Sequence, residues 1–157
     1  MESKNNLEAA PEDRVLVITR VFNAPPRLVF KAWTDSDQLA KWHGPKGFTT
    51  TVEKNELRPG GAYRFHMRDP QGGDHWAQGV YREIVEPERL VMYGSWADKE
   101  GNLTRPQTVL TLTFEDLDGK TKLTLHQAVF ESATACDEHR YGWTSSMEKL
   151  AEYVARL

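Results

Sequence analysis

Cysteine is nearly absent from this 157-residue chain, and long apolar runs are missing altogether. The single cysteine, Cys136, has no partner for an internal disulfide, which is typical of a protein from a reducing compartment. The N-terminal segment is polar and lacks the apolar core of a signal peptide. The aliphatic run at residues 15–18 is far shorter than the ~20 residues that span a bilayer. The sequence therefore predicts a soluble, cytoplasmic protein without membrane insertion.

An excess of positive charge is also missing. The chain has 20 Lys and Arg residues against 23 Asp and Glu residues, for a net charge of −3. Because proteins that bind nucleic acids usually carry a basic patch or stripe, we predict no nucleic acid partner. A length of 157 residues suits one core of ordinary size. We predict a disordered leader at residues 1–13 and a single domain at residues 14–157.

The signatures of common catalytic and metal sites are missing as well. No two histidines stand at the short spacing typical of zinc ligands; the five are His43, His66, His75, His126 and His139. The chain has no Gly-x-Ser-x-Gly elbow, no glycine-rich phosphate loop and no Cys-x-x-Cys. We therefore predict no metal ion and no cofactor, and we interpret Cys136 as a buried helix residue.

The pattern of apolar residues predicts an α+β fold. Residues 14–22 are typical of a strand, and two short helices follow, the second ending at Trp42. Turn residues then separate six candidate strands at residues 49–56, 62–68, 75–85, 89–95, 108–115 and 122–129. Such short turns connect antiparallel strands.

Residues 132–157 return to the helical period, with one apolar stripe formed by Cys136, Trp143, Met147, Leu150, Val154 and Leu157. A sheet with one apolar face must be covered, and this helix is the one element long enough to cover it. We predict a curved antiparallel sheet of six to seven strands that wraps around the C-terminal helix. The two short helices fill the gap between the first strand and the other six.

Aromatic residues make up 10% of the chain and include five tryptophans. Large side chains around a curved sheet either fill its hollow or line a cavity, and the sequence leaves both interpretations open. Polar residues on inward-facing positions favour a cavity, because pockets need a few placed polar groups. We place Gln127 there, and Arg82 or Gln78 beside Trp76. The predicted cavity residues are Trp33, Trp42, Phe48, Tyr63, Phe65, Trp76, Met92, Trp96, Leu110, Gln127, Trp143 and Met147.

Several motifs resemble, in their order along the chain, those of one known family. They are Phe22-x-Ala24-Pro25, Val29-Phe30-x-Ala32-Trp33-Thr34, Leu39-Ala40-x-Trp42-His43-Gly44-Pro45, Leu57-Arg58-Pro59-Gly60-Gly61, Gly79-x-Tyr81-x-Glu83-Ile84, Pro87-x-Arg89-Leu90 and Gly142-Trp143 with Leu150. The family is the START/birch-pollen-allergen-like (SRPBCC) superfamily. Within it, the chain resembles the AHSA-type subfamily, named for the activator of the ninety-kilodalton heat-shock protein's ATPase. The resemblance covers about residues 14–157.

The resemblance implies a helix-grip fold with a hydrophobic cavity between the sheet and the long helix. Relatives in the superfamily include lipid and hormone binders and aromatic polyketide cyclases. The subfamily often has a second tryptophan where this chain has His43, which we expect to alter the mouth of the pocket. The eukaryotic chaperone activator carries an additional N-terminal domain, for which we expect no room in 157 residues. The resemblance thus implies the fold more strongly than the chaperone activity.

Three functional hypotheses follow. The first is a non-enzymatic protein that binds a small hydrophobic or aromatic ligand in the cavity. The second is an enzyme of cyclase or hydrolase type that uses the same cavity, with Arg82, His75 or Tyr81 as the acid or base. The third is a stress-response module that acts on a chaperone or another protein partner through its surface.

Overall fold

Seven strands and three α-helices make up the part of the chain that the computed structural model describes, residues 12–157. In chain order they are β1 (Leu16–Phe22), α1 (Pro26–Thr34), α2 (Ser36–Trp42), β2 (Thr49–Asn55), β3 (Ala62–Arg68), β4 (Asp74–Val85), β5 (Arg89–Ala97), β6 (Thr108–Leu117), β7 (Lys120–Ala128) and α3 (Ala133–Val154). A short 3₁₀ helix, Glu12–Arg14, precedes β1 and includes the last two residues of the predicted leader. The rest of that leader lies outside the described residues.

The strands form one antiparallel sheet in the order β1-β7-β6-β5-β4-β3-β2. Strands β2 to β7 are neighbours in sequence as well as in space, which confirms the consecutive antiparallel strands predicted from the short turns. Strand β1 lies at one edge of the sheet and pairs with β7, from Leu16 opposite Gln127 to Phe22 opposite Thr121. This architecture confirms the predicted α+β fold.

The two short helices begin and end where the sequence predicts. Pro26 occupies the first turn of α1, where its missing N–H leaves no hydrogen bond unmade. The Asp35 carboxylate caps α2 by accepting a hydrogen bond from the Gln38 N–H at 3.1 Å. The buried indole of Trp42 donates to the Ala32 carbonyl at 2.9 Å and so ties α2 to α1.

The long helix covers only part of the concave face of the sheet. Ser132 caps α3 by accepting from the Ala135 N–H at 3.1 Å. Along the helix, Cys136, Met147 and Leu150 are buried, as the stripe predicts. Leu157 departs from the stripe, because it lies beyond the end of the helix and is 56% exposed. Helix α3 packs against β1, α1 and α2, whereas β3, β4 and β5 face it across an open space.

The pairing of β3 with β4 decides which side chains reach that space. Phe65 lies opposite Ala77, and His66 lies opposite Trp76. Directly opposed residues share a face of the sheet. Phe65 is buried on the concave face, so Ala77 shares the concave face, whereas Trp76 shares the outer face with His66. Gln78, opposite Arg64, is also on the outer face, which corrects the inward position predicted for Gln78.

Candidate functional site

A cavity of about 500 Å³ lies between the concave face of the sheet and α3. Its walls come from β3 to β7, the N-terminal two thirds of α3, and the loop of residues 43–48 that follows α2. Eight of the twelve predicted residues line it: Phe48, Tyr63, Phe65, Met92, Trp96, Leu110, Gln127 and Trp143.

Aromatic rings form a continuous inner wall. Phe65 lies at the centre, with its ring centroid 5.2 Å from those of both Tyr63 and His43. The His43 ring meets Trp143 of α3 edge-on at 6.0 Å. The sheet, the 43–48 loop and the helix therefore meet through tilted and edge-on ring contacts, at centroid distances typical of aromatic pairs.

Two glycines make room for Tyr63. Gly79 of β4 and Gly94 of β5 lie directly opposite each other. A Cβ at either position would collide with the Tyr63 hydroxyl and with the neighbouring backbone. The absence of a Cβ at these two glycines thus leaves the space that the Tyr63 hydroxyl occupies over β4 and β5.

Gln127 joins the sheet to the helix inside the cavity. Its Oε1 accepts a hydrogen bond from the indole Nε1 of Trp143 at 2.8 Å, and its Nε2 donates to the Thr108 hydroxyl at 2.8 Å. Gln127 is only 9% exposed, so these partners compensate much of the cost of burying its amide. The inward position predicted for Gln127 agrees with this geometry.

His43 and Tyr63 differ from Gln127 because they lack such partners. His43 Nδ1 is fully buried and has no hydrogen-bond partner among residues 12–157. The Tyr63 hydroxyl makes no hydrogen bond to these residues either, but Tyr63 keeps 7% exposure and lines the cavity. Burial, together with the charge of Lys149, lowers the pKa of His43 from 6.5 to about 4. Burial raises the pKa of Tyr63 well above its usual value. Both side chains are therefore uncharged at neutral pH.

Helix α3 anchors the loop that carries His43. The Lys149 Nζ donates to the carbonyls of Gly44 at 3.1 Å and Pro45 at 3.3 Å, and the Ser145 hydroxyl accepts from the Lys46 N–H at 2.8 Å. Burial lowers the pKa of Lys149. These bonds keep the loop against the helix and so hold one wall of the cavity in place.

Charged and ionisable groups gather at the outer part of the cavity. Arg105 pairs with Glu131 at 2.8 Å, and both are partly exposed. His75 Nε2 lies 2.8 Å from Asp69, and this hydrogen bond lowers the pKa of the Asp69 carboxyl. The cavity is therefore apolar and aromatic inside and polar at its rim.

Four predicted cavity residues lie elsewhere. Trp33, Trp42 and Met147 are buried in the core and do not line the cavity, which corrects their prediction. Trp33 packs behind the cavity wall, 5.6 Å from the Trp143 ring and 4.7 Å from the Trp42 ring. These residues support the wall without reaching the open space.

Trp76 is the fourth, and its prediction was wrong about the face of the sheet. Its indole stacks on the His66 ring at 4.6 Å, lies 5.2 Å from the Arg64 guanidinium, and donates to Glu53 at 3.3 Å. All three partners are on the outer face. The register with β3 places Trp76 there, because each residue of β4 shares a face with the residue opposite it.

Sequence reasoning missed several lining residues, among them Met67, Thr108, Phe130 and His139, and it placed His43 at the mouth of the pocket, whereas His43 lies buried in the inner wall. Thr108 and Met67 could have been found, because they continue the alternation of Leu110 and Phe65 toward the same face. His43 and Phe130 follow the ends of regular elements, where periodicity no longer indicates a direction.

Metal chemistry and membrane spanning find no support in residues 12–157. This part of the chain brings no three His, Cys, Asp or Glu side chains close enough together to hold a metal ion. None of its helices combines the length and apolar character needed to cross a bilayer.

The fold and the cavity together define the class: a helix-grip domain with an internal space between the sheet and the long helix. The sequence model of the family described as "Activator of Hsp90 ATPase homolog 1-like protein" matches residues 23–155. The chain belongs to this family, which confirms the resemblance seen in its motifs. A search of curated proteins found no match.

Solved structures agree with this assignment. A protein from Chromobacterium violaceum is 30% identical, with a TM-score of 0.81, over 90% of this chain and 96% of its own. A protein from Arthrobacter aurescens is 25% identical, with a TM-score of 0.84, over 93% of this chain and 88% of its own. The AHSA1 protein from Silicibacter pomeroyi shares the fold at 23% identity and a TM-score of 0.80, over 90% of this chain and 97% of its own.

Proposed function

We propose that this protein is a non-enzymatic binding protein that holds a small hydrophobic or aromatic ligand in the cavity. The observation that carries the proposal is the cavity itself: about 500 Å³ lined mainly by apolar and aromatic side chains, with a few polar groups among them. Small-molecule sites typically measure about 300–1,000 Å³ and have this mixed lining.

The packing around the cavity supports the proposal. Trp42 and Leu112 are fully buried, and Met147 and Phe65 are within 2% of full burial. The core beside the cavity therefore excludes water, whereas the open space lies between α3 and strands β3 to β7. Protein interiors are normally close-packed, so a space confined to one region is a specific feature of the fold and not a sign of loose packing throughout.

The test is a binding screen that compares the wild type with a variant whose cavity is blocked. Tryptophan fluorescence and ligand-observed NMR would survey lipids, sterols and polyketide-like aromatics at micromolar concentrations. Ala77→Phe places a ring into the cavity from β4, whereas Val80→Phe adds the same ring on the outer face of that strand. We expect ligands to bind the wild type and Val80→Phe and to lose binding in Ala77→Phe. Failure of all three ligand classes to bind the wild type would contradict the proposal.

A second candidate is an enzyme that uses the same cavity, and the His75–Asp69 pair favours it. A carboxylate that holds a histidine at 2.8 Å is an arrangement found in general bases. Of the other two candidates, Arg82 lies over the Tyr93 ring at 4.3 Å, and Tyr81 is fully buried with its hydroxyl bonded to Asn55 at 2.6 Å. Turnover of an aromatic polyketide-like substrate by the wild type and its loss in His75→Gln would support the enzyme.

A third candidate rests on the family name, which refers to activation of the Hsp90 ATPase. Under this hypothesis the chain acts on a chaperone partner in a stress response. The decisive measurement is the chaperone's ATPase rate at saturating concentrations of this protein, with bovine serum albumin as the control. An unchanged rate would exclude this function.

A further inference from the structure

Two polar side chains in the inner wall of the cavity have hydrogen-bonding capacity that the protein does not use. His43 and Tyr63 are each 7% exposed and both line the cavity. Nδ1 of the imidazole is fully buried without a partner, whereas Nε2 and the Tyr63 hydroxyl make no hydrogen bond within residues 12–157 but are not fully buried. A molecule in the cavity can therefore reach Nε2 and the phenol oxygen and supply the partner that polar groups in such a wall usually have.

The two groups are close enough to act on one ligand. Each ring lies 5.2 Å from the ring of Phe65, which stands between them. A bicyclic or tricyclic aromatic skeleton in contact with Phe65 could therefore present a polar atom to either group. Gln127 does not compete for that atom in the same way, because its amide is already bonded to Trp143 and Thr108.

The charges around the cavity argue against an anionic ligand in its interior. Arg105 is the one Lys or Arg among the described residues that line the cavity, and Glu131 neutralises it at 2.8 Å. Lys149 lies near His43, but its ammonium donates to the carbonyls of the 43–48 loop. A carboxylate beside His43 would thus be buried without a cation, which is strongly unfavourable.

Building on the function proposed above, we propose that His43 and Tyr63 make the cavity selective for uncharged ligands that carry a hydroxyl group on an aromatic or similarly apolar skeleton. A neutral imidazole has one donor and one acceptor nitrogen, and a phenol both donates and accepts. A hydroxyl group also does both, so it can satisfy either partner whichever nitrogen of His43 carries the proton. A ligand oxygen that can only accept hydrogen bonds cannot pair with an imidazole nitrogen that lacks a proton, so it satisfies fewer of the donor and acceptor states of these two groups.

The experiment uses four probes that share one skeleton: naphthalene, 2-naphthol, 2-methoxynaphthalene and 2-naphthoate. Dissociation constants would be measured at pH 7 by isothermal titration calorimetry with the full chain. We expect 2-naphthol to bind about tenfold more tightly than naphthalene, the size of effect that one additional hydrogen bond to a buried group produces. We expect 2-methoxynaphthalene to bind more weakly than 2-naphthol, and 2-naphthoate to bind most weakly.

Variants then assign the selectivity to the two residues. His43→Phe and Tyr63→Phe should each reduce the ratio of the naphthalene dissociation constant to the 2-naphthol dissociation constant. His126→Phe is the matched control, since His126 is exposed on the strand that carries Gln127 and should keep the full preference. Tyr63→Phe removes a single oxygen atom, so it tests the proposal even where His43→Phe fails to fold.

The outcomes separate this inference from the function on which it rests. Equal binding of naphthalene and 2-naphthol, or a preference that survives in both Phe variants, would overturn the hydroxyl selectivity while leaving the binding function intact. Tighter binding of 2-naphthoate than of 2-naphthol would also overturn it. If none of the four probes bound the wild type and the broader screen found no ligand, both proposals would fail together.

Discussion

The indole Nε1 of Trp143 donates a 2.8 Å hydrogen bond to Oε1 of Gln127, and this bond connects the long helix to β7 across the wall of the cavity. Trp143 and Gln127 are 16 positions apart in the sequence, and both line the cavity. Because the Gln127 amide also donates to Thr108, three elements of the structure converge on one side chain.

Removing the Gln127 amide should therefore destabilise the protein. We expect Gln127→Leu to lower the free energy of unfolding by about 1–3 kcal/mol, because the Trp143 N–H and the Thr108 hydroxyl would lose their partner. Chemical denaturation would measure the change, with His126→Leu on the exposed face as the control. A double-mutant cycle with Trp143→Phe should reveal coupling, and strict additivity would contradict the role of this bond.

The buried His43 should make stability depend on pH. Its pKa is about 4 in the folded state and near 6.5 when exposed, so below pH 6.5 the unfolded chain binds a proton that the folded chain does not. The free energy of unfolding should thus be unaffected by this residue above pH 6.5 and fall by roughly 3 kcal/mol as the pH decreases to about 4.

Comparison with His43→Phe isolates that contribution, because the carboxylates titrate in both proteins. Denaturation curves recorded from pH 7.5 to pH 4 should show the wild type losing stability more steeply than the variant. Parallel pH profiles would contradict the assignment of the low pKa to His43.

Two tryptophans on opposite sides of the sheet, Trp143 of α3 and Trp76 of β4, should respond differently to truncation. Trp143→Ala enlarges the cavity and removes the Gln127 partner, so we expect weaker binding of any ligand the wild type binds. Trp76→Ala changes only the outer face, where the indole contacts His66, Arg64 and Glu53, and should leave ligand affinity within about twofold. Titrations followed by NMR would measure both affinities. A large loss in Trp76→Ala would contradict the assignment of the two faces.

Two glycines in contact with the cavity should also respond in opposite directions. Gly94→Ala should destabilise the protein by about 1–3 kcal/mol or more, because the new methyl group meets the Tyr63 hydroxyl and the Gln78 carbonyl. Gly142 lies in the middle of α3, where alanine favours the helix more than glycine does. Gly142→Ala should therefore stabilise the protein by up to about 1 kcal/mol, since the new Cβ makes only an ordinary contact with Pro45 of the loop. Thermal unfolding of the two variants would check both signs.

The strands and helices were predictable wherever local pattern and tertiary environment agree. In β3, alternation separates Tyr63 and Phe65 from Arg64 and His66, and the structure buries the first pair more deeply than the second. Helix α3 begins at a capping serine and buries Cys136, Met147, Leu150 and Val154 of the predicted stripe, with Trp143 partly buried at the cavity. In both elements, one face is apolar over its whole length, so the repeat along the chain indicates the direction of each side chain.

Strand β4 shows where this reasoning fails. Two of its inward residues, Ala77 and Gly79, are small, whereas the outward Trp76 is the largest side chain of the strand. Apolar size therefore pointed to the wrong face. Small residues are needed inside because the cavity and the Tyr63 ring occupy that space, a requirement that exists only once the strands are paired.

The sequence by itself determined the order of the elements, the antiparallel arrangement of β2 to β7 and the family, because these depend on local periodicity, turn residues and motifs. Tertiary structure alone decided which aromatic residues line a cavity and which fill the core, and that His43 lies in the cavity wall with an unpartnered ring nitrogen. An open space is a property of how distant elements pack. Its size depends on where α3 rests on the sheet, and no pattern along a single strand or helix encodes that distance.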